Sequence, residues 1–234
     1  MNAAAPLLKK VQEYVSNLFT YHLSKKYCFH NLEHTKNIVL AVGIISDFLE
    51  LDNNDKQVLQ LAAWFHCTGY LSRPMDNEPI AVLIAENYLR TNKFSPNTIH
   101  KVRGCILATR KDSSPKNHLE AVIKDADMFH ISQDNYWTQN WLLRDELNLT
   151  CELQFNDAQW YKTHLDFLKN FLFRTAYGEK FLEQSRNNLI YENETILKSI
   201  SGNEKESLSP IPSHLSSMGT REVFVLESGC RIAI

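Results

Sequence analysis

Apolar residues recur along this chain at helical spacing, segment after segment. Leu7, Leu8, Val11, Val15, Leu18 and Phe19 form one stripe, and Pro6 suits the first turn ahead of them. Asn31 has the side chain of an N-cap for a second helix, in which Ile38, Ala41, Val42, Ile45, Phe48 and Leu49 repeat. Asp52 or Asn53 opens a third that carries Val58, Leu61, Ala62, Phe65 and His66. Gly69 is expected to end it in the left-handed conformation of a helix exit. A fourth is predicted from about Glu78 to Arg90, with Ile80, Leu83, Ile84 and Tyr88 facing inward.

Ser95-Pro96 is a cap and first turn for a fifth helix through Ile99, Val102, Ile106 and Leu107. Asn117 and Glu120 resemble a capping box for a sixth that ends near Asp127. Trp137, Trp141 and Leu142 mark a seventh. Asn156 or Asp157 opens an eighth with Trp160, Leu165, Leu168, Phe171 and Leu172, and a ninth spans roughly Tyr177 to Ile200. No alternating strand pattern precedes residue 200, so residues 1–200 are expected to form one all-α multi-helix bundle. Residues 201–234 are rich in Ser and Pro and read as a linker and a disordered tail. The strand-like Val223-Phe-Val225 and Ile232-Ala-Ile234 are read as a frayed end.

Composition supports a globular fold: 44% hydrophobic and 11% aromatic residues are enough for a substantial core. A net charge of −2 gives no reason to expect nucleic acid or an anionic membrane as partner. The longest apolar run, residues 38–45, falls far short of the ~20 residues that cross a bilayer. MNAAAPLLKKVQEY lacks the apolar core of a signal peptide, and Cys28, Cys67, Cys105, Cys151 and Cys230 show no regular spacing. A cytoplasmic chain with reduced thiols is therefore expected.

The candidate chemistry is a set of His and Asp residues on different predicted helices. His30 and His34 lie in YCFHNLEHTKNIV, His66 in LAAWFHCTGY, and Asp125 and Asp127 in VIKDADMFHI. A lone His on an amphipathic helix is usually structural or solvated, and paired acids at a helix end are often just solvation. Together, imidazole nitrogens and a carboxylate from three helices can hold a first-row metal, which acidifies a water and neutralises phosphoryl charge.

These segments, with CILATRKD and QWYKTHLDFLKNFLFRTAYGEKFLEQSRNNL, resemble successive signatures of the HD superfamily, in its branch of metal-dependent phosphohydrolases. The resemblance covers roughly residues 8 to 198. It implies an all-helical HD-like fold and metal ligands at His34, His66 and Asp127, with Asp127 favoured over Asp125 and His30 behind the ligands. It also implies a nucleotide or another small phosphoester as substrate.

Two positions depart from the family pattern. Cys67 stands where the family has the Asp that bridges two metals, and Asn77-Glu78 where the branch often has His-Glu. A thiolate at Cys67 would favour Zn, and a neutral thiol there would be inert. One divalent transition metal (Zn, Mn, Fe, Ni or Co) is expected rather than two. Arg110, Lys111 and Lys116 are candidates for holding a substrate phosphate, with a solvated loop as the plainer reading, and Thr109 matches a family position. Two functions follow from the resemblance: a phosphohydrolase with an impaired metal centre, or an inactive HD domain that senses a ligand or docks a partner.

Overall fold

In a computed structural model, residues 4–206 are described and form an all-α bundle. The helices are α1 (Ala4–His22), α2 (Leu32–Phe48), α3 (Asn53–Phe65), α4 (Glu78–Thr91), α5 (Pro96–Ala108), α6 (His118–Asp127), α7 (Tyr136–Thr150), α8 (Asp157–Asn170) and α9 (Glu183–Glu206). A 3₁₀ turn, His66–Leu71, continues α3, and another, Phe129–Ser132, follows α6. A π-turn, Gly178–Leu182, leads into α9. No described helix is long and apolar enough to cross a membrane.

Local chemistry sets the helix starts. Asn31, Asp52, Ser95, Asn117 and Asn156 each accept a hydrogen bond from a backbone N–H of the first turn, satisfying donors that a helix cannot pair internally. Asn156 and Gln159 complete a reciprocal capping box. At Asn117 the box is incomplete, because the Glu120 carboxylate takes Lys116 N and the Asn117 amide instead.

α3 is the centre. Val58, Leu59, Leu61, Ala62, Ala63, Trp64 and Phe65 are all buried, so the second half of α3 is apolar on nearly every side and is surrounded by α1, α2, α5 and α6. A second apolar cluster (Met128, Ile131, Leu168, Phe173, Leu182 and Leu189) joins the region after α6 to α8 and α9. A third places Phe29 against Leu143, Leu147 and Trp160.

Several expectations need correction. Gly69 does not turn the chain left-handed; it allows close approach, since a Cβ there would lie 1.9 Å from the Asn77 carbonyl oxygen. The buried face of α4 is Ala81, Val82, Ala85 and Leu89, with Leu83 66% exposed. Small residues at 81 and 85 let α4 lie close on the His66–Leu71 turn, which outweighs the larger apolar stripe beside them. Phe171 and Leu172 fall after α8, and α9 continues past residue 200 to Glu206. The rest of the expected tail lies outside the described residues.

The contact at Gly69 is testable. Gly69→Ala should destabilise the protein by about 2 kcal/mol, the scale of overpacking, and lower Tm by roughly 5 °C. Thermal unfolding followed by circular dichroism checks this; a variant that melts with wild type would contradict the close approach.

Candidate metal centre

The last turn of α3 delivers His66 and Cys67 into the interior, where they are 4% and 1% exposed. The His66 Nδ1 lies 2.7 Å from the Ala63 carbonyl oxygen. A carbonyl only accepts, so Nδ1 carries the proton and Nε2 is left with its lone pair. Burial pulls the ring pKa down to about 4 despite the nearby Asp127 carboxylate, which keeps the imidazole neutral near pH 7.

His34 enters from the first turn of α2 and Asp127 from the last residue of α6. His34 Nε2 is 3.2 Å from Asp127 Oδ1 and 3.4 Å from His66 Nε2. His66 Nε2 is 3.9 Å from Asp127 Oδ1 and 3.0 Å from Cys67 Sγ. An ion bonded to four tetrahedral donors at ~2.0–2.3 Å holds those donors roughly 3.3–3.8 Å apart; the His34–His66 separation falls in that range, while the others lie just outside it on either side. His34, His66 and Cys67 together meet the geometry of a three-residue metal group. Burial raises the Asp127 carboxyl, but the His34 hydrogen bond and the electrostatic pull of the His66 and His34 imidazoles outweigh it and hold Asp127 well below the usual carboxylate range. Burial, then the Asp127 charge, pushes the Cys67 thiol well above its ordinary value. A thiolate at this position therefore requires a cation beside it.

The structure also closes this cluster by hydrogen bonds alone. The Cys67 thiol can donate to His66 Nε2, and the His34 Nε2–H to Asp127. Among the described residues, the one buried side-chain N or O without a partner is Arg186 Nε, on α9.

The other predicted residues separate. Asp125 is fully buried and turned away from the cluster: its carboxylate accepts from the backbone N–H groups of Arg174 and Thr175 and from Thr175 Oγ1 at 2.7–3.0 Å. Arg110 pairs with Asp76 at 3.0 Å and with Asp112 at 3.7 Å. Lys116 is exposed, and its backbone N–H is bound by Glu120. Neither cation lines the cleft over the cluster, whereas Lys111 and Thr109 do.

That cleft has a volume of about 110 Å³ and is bounded by His30, His66, Cys67, Tyr70, Asn77 and Asp127 among others. Asn77 is 3% exposed and donates its amide to the Pro74 carbonyl. Burial raises the neighbouring Glu78 carboxyl. On the other side of Asp127 a smaller cavity of about 70 Å³ is lined by His34, His130, Tyr136, Asn140 and His164 among others.

Sequence reasoning missed several of these groups. Lys124 lines the cleft one turn before Asp127, a spacing visible in KDAD. Glu146 on α7 is 2% exposed; it accepts from the backbone N–H groups of Phe29 and His30 and pairs with the His30 Nδ1. Nothing local in the sequence signals that contact across 116 residues. His130 donates Nδ1 to the Asp127 carbonyl, and the Tyr136 hydroxyl meets His164.

No protein-family model matches this chain, and no curated protein or solved structure matches it either.

Glu146 carries a pH prediction. Burial raises its carboxyl, but the charge of His30 and three hydrogen bonds outweigh this and hold it below its ordinary value. Its stabilisation is therefore complete above the unfolded value of about 4.3 and is lost as pH falls through the lower folded value. Glu146→Ala should cost about 3 kcal/mol at pH 7, because it leaves buried partners unpaired. In urea unfolding, the gap between wild type and variant should shrink below about pH 4. A gap that does not change with pH would contradict the assignment.

Proposed function

We propose that this chain is an HD-type, metal-dependent phosphohydrolase acting on a nucleotide or another small phosphoester, with a single-ion centre altered at Cys67. The observation that carries this reading is the grouping of His34, His66 and Cys67 at metal-ligand spacing, with Asp127 Oδ1 3.2 Å from His34 Nε2, beside a cleft that His66, Cys67 and Asp127 line. His34, His66 and Asp127 would hold one divalent transition ion (Zn, Mn, Fe, Ni or Co), and Cys67 would join them as a thiolate. Such an ion supplies Lewis acidity toward a phosphoryl oxygen and lowers the pKa of an adjacent water.

The chain's own groups would then do the following. The Ala63 carbonyl fixes the His66 tautomer, so that its lone pair faces the site. Glu146 holds the His30 Nδ1, which leaves Nε2 as the ring nitrogen for proton transfer in the cleft. The water oxygen bonds to phosphorus and the ester P–O bond breaks. His30 would take the proton released by the water, and the departing oxygen would take one from solvent at the open side of the cleft. Asn77 is occupied with Pro74, which agrees with one ion rather than two. The neutral surroundings fit a small-molecule substrate in the cytoplasm better than a membrane or nucleic acid.

A second reading has its own observation. The Cys67–His66 and His34–Asp127 contacts leave the cluster fully hydrogen-bonded without an ion. That favours an inactive HD domain that senses a ligand or docks a partner.

Metal analysis of protein purified without chelators separates the two. Roughly one equivalent of transition metal is expected in wild type. In His66→Ala the metal should be lost, and turnover on a phosphoester panel should fall by about 100-fold or more, the upper end of what changes behind metal ligands cost. Wild-type protein free of metal and silent with each ion added would sink the enzyme reading. Nucleotide-dependent thermal shifts without turnover would favour the sensor. Cys67→Asp refines the result: activity created from none marks the thiol as a lesion, and activity destroyed marks it as a working ligand.

A further inference from the structure

The cleft over the cluster carries charge and shape that metal binding does not use. Lys124 precedes Asp127 by one turn of α6, and residues so placed stand ~5–6 Å apart at Cβ. Its ammonium donates to the carbonyls of Ala108 (3.3 Å) and Arg110 (2.7 Å), which fixes it at the end of α5 and leaves one N–H uncommitted. Lys111, on the turn after α5, lines the same cleft. The deep walls are closed by Cys67, Tyr70 and Asn77, which are 1%, 8% and 3% exposed. Half-buried Phe167 and Phe171, with ring centroids 5.8 Å apart, form the aromatic side. The volume of about 110 Å³ equals that of some four waters at ~30 Å³ each. That is room for a phosphate group at the inner end of the cleft.

We propose that the cleft takes a terminal phosphomonoester, with the phosphate held between Lys124 and the side of the metal cluster formed by His66 and Asp127, Lys111 at the rim, and the single organic group lying against Phe167 and Phe171. A diester would have to place a second organic group against the closed wall of Cys67, Tyr70 and Asn77. This deepens the phosphohydrolase reading and rests on it for turnover and for the ion that would offset the Asp127 and Glu78 carboxylates lining the cleft.

Isothermal titration calorimetry on the full chain, with inorganic phosphate, phenyl phosphate and diphenyl phosphate, tests it. Phenyl phosphate should bind more tightly than phosphate, Phe171→Ala should remove that gain, and diphenyl phosphate should not bind. Lys124→Gln should weaken phosphate binding about tenfold, the scale of one charge-assisted hydrogen bond, while Lys116→Gln should leave it unchanged. Because Lys124 also caps α5, folding of its variant is checked by circular dichroism. If it is unfolded, Lys111→Gln takes its place with the same expected loss. Phosphate affinity unmoved in the folded lysine variant, or diphenyl phosphate bound as tightly as phenyl phosphate, overturns the proposal. Selective monoester binding with no hydrolysis upholds the cleft assignment and removes the phosphohydrolase reading. Hydrolysis of diesters does the reverse.

Discussion

A helical stretch that is apolar on nearly every side has to be surrounded, and the second half of α3 imposes that requirement on the whole bundle. Its buried run ends at Phe65, but the chain does not leave the interior there: the 3₁₀ turn keeps His66, Cys67 and Thr68 inside. Polar groups carried into a core must find partners, since an unpaired one costs several kcal/mol by most measures, about 1–3 at least. His66 takes the Ala63 carbonyl and Thr68 the Phe65 carbonyl, both at the helix end where carbonyls lack intrahelical donors. The His66 Nε2 lone pair and the Cys67 thiol, which those bonds leave over, meet each other at 3.0 Å, beside the His34–Asp127 pair brought in by α2 and α6. The cluster is thus a consequence of burying α3, and the cleft is the space left where α4 and the α5–α6 turn close over it.

The same reasoning separates the two acids of α6. Residues two apart on a helix point about 200° from one another, so Asp125 and Asp127 cannot serve one site. Asp127 faces α2 and α3. Asp125 faces the segment before the π-turn, where Thr175 and Arg174 saturate its oxygens. Gly178 closes that junction, because a Cβ there would come within 2.5 Å of Asp125 Oδ2. One acid is left to the cleft while the other ties α6 to the start of α9, and the second bond steadies the helix end that carries the first.

Much of this was legible in the sequence, for physical reasons that differ by element. Caps act within three residues, so Asn31, Asp52, Ser95 and Asn156 announced their helices. The order of His34, His66 and Asp127 pointed to one site only through the resemblance, because His and Asp are common and the gaps between these three are long. The inward face of α4 was not legible: periodicity weighs side-chain size, whereas packing against the His66–Leu71 turn selected the small Ala81 and Ala85. Gly69 was misread because a glycine that permits close approach and one that turns the chain look alike until the neighbour, Asn77, is known. Glu146 had no local sign at all, since its partners are the backbone and ring of residues on another part of the chain. Among the cations, Arg110 was drawn off by Asp76, and Lys124 gained the cleft by satisfying the carbonyls at the end of α5.

Cys67 concentrates the remaining chemistry. In the proposed family its position belongs to a carboxylate, which is charged near neutral pH whether or not an ion is near. A thiol buried beside Asp127 is not: its ionisation is pushed far up, so it becomes a ligand only when an ion displaces the proton. The replacement therefore changes more than ligand softness. It removes one fixed negative charge from the core, lets Cys67 rest as a neutral hydrogen-bond donor beside the Asp127 carboxylate, and would make ion capture release a proton. A hard ion such as Mg or Mn gains little from sulfur, so a centre of the proposed kind would favour a thiophilic ion such as Zn, while the bonds of His66 to Ala63 and of His34 to Asp127 depend on neither.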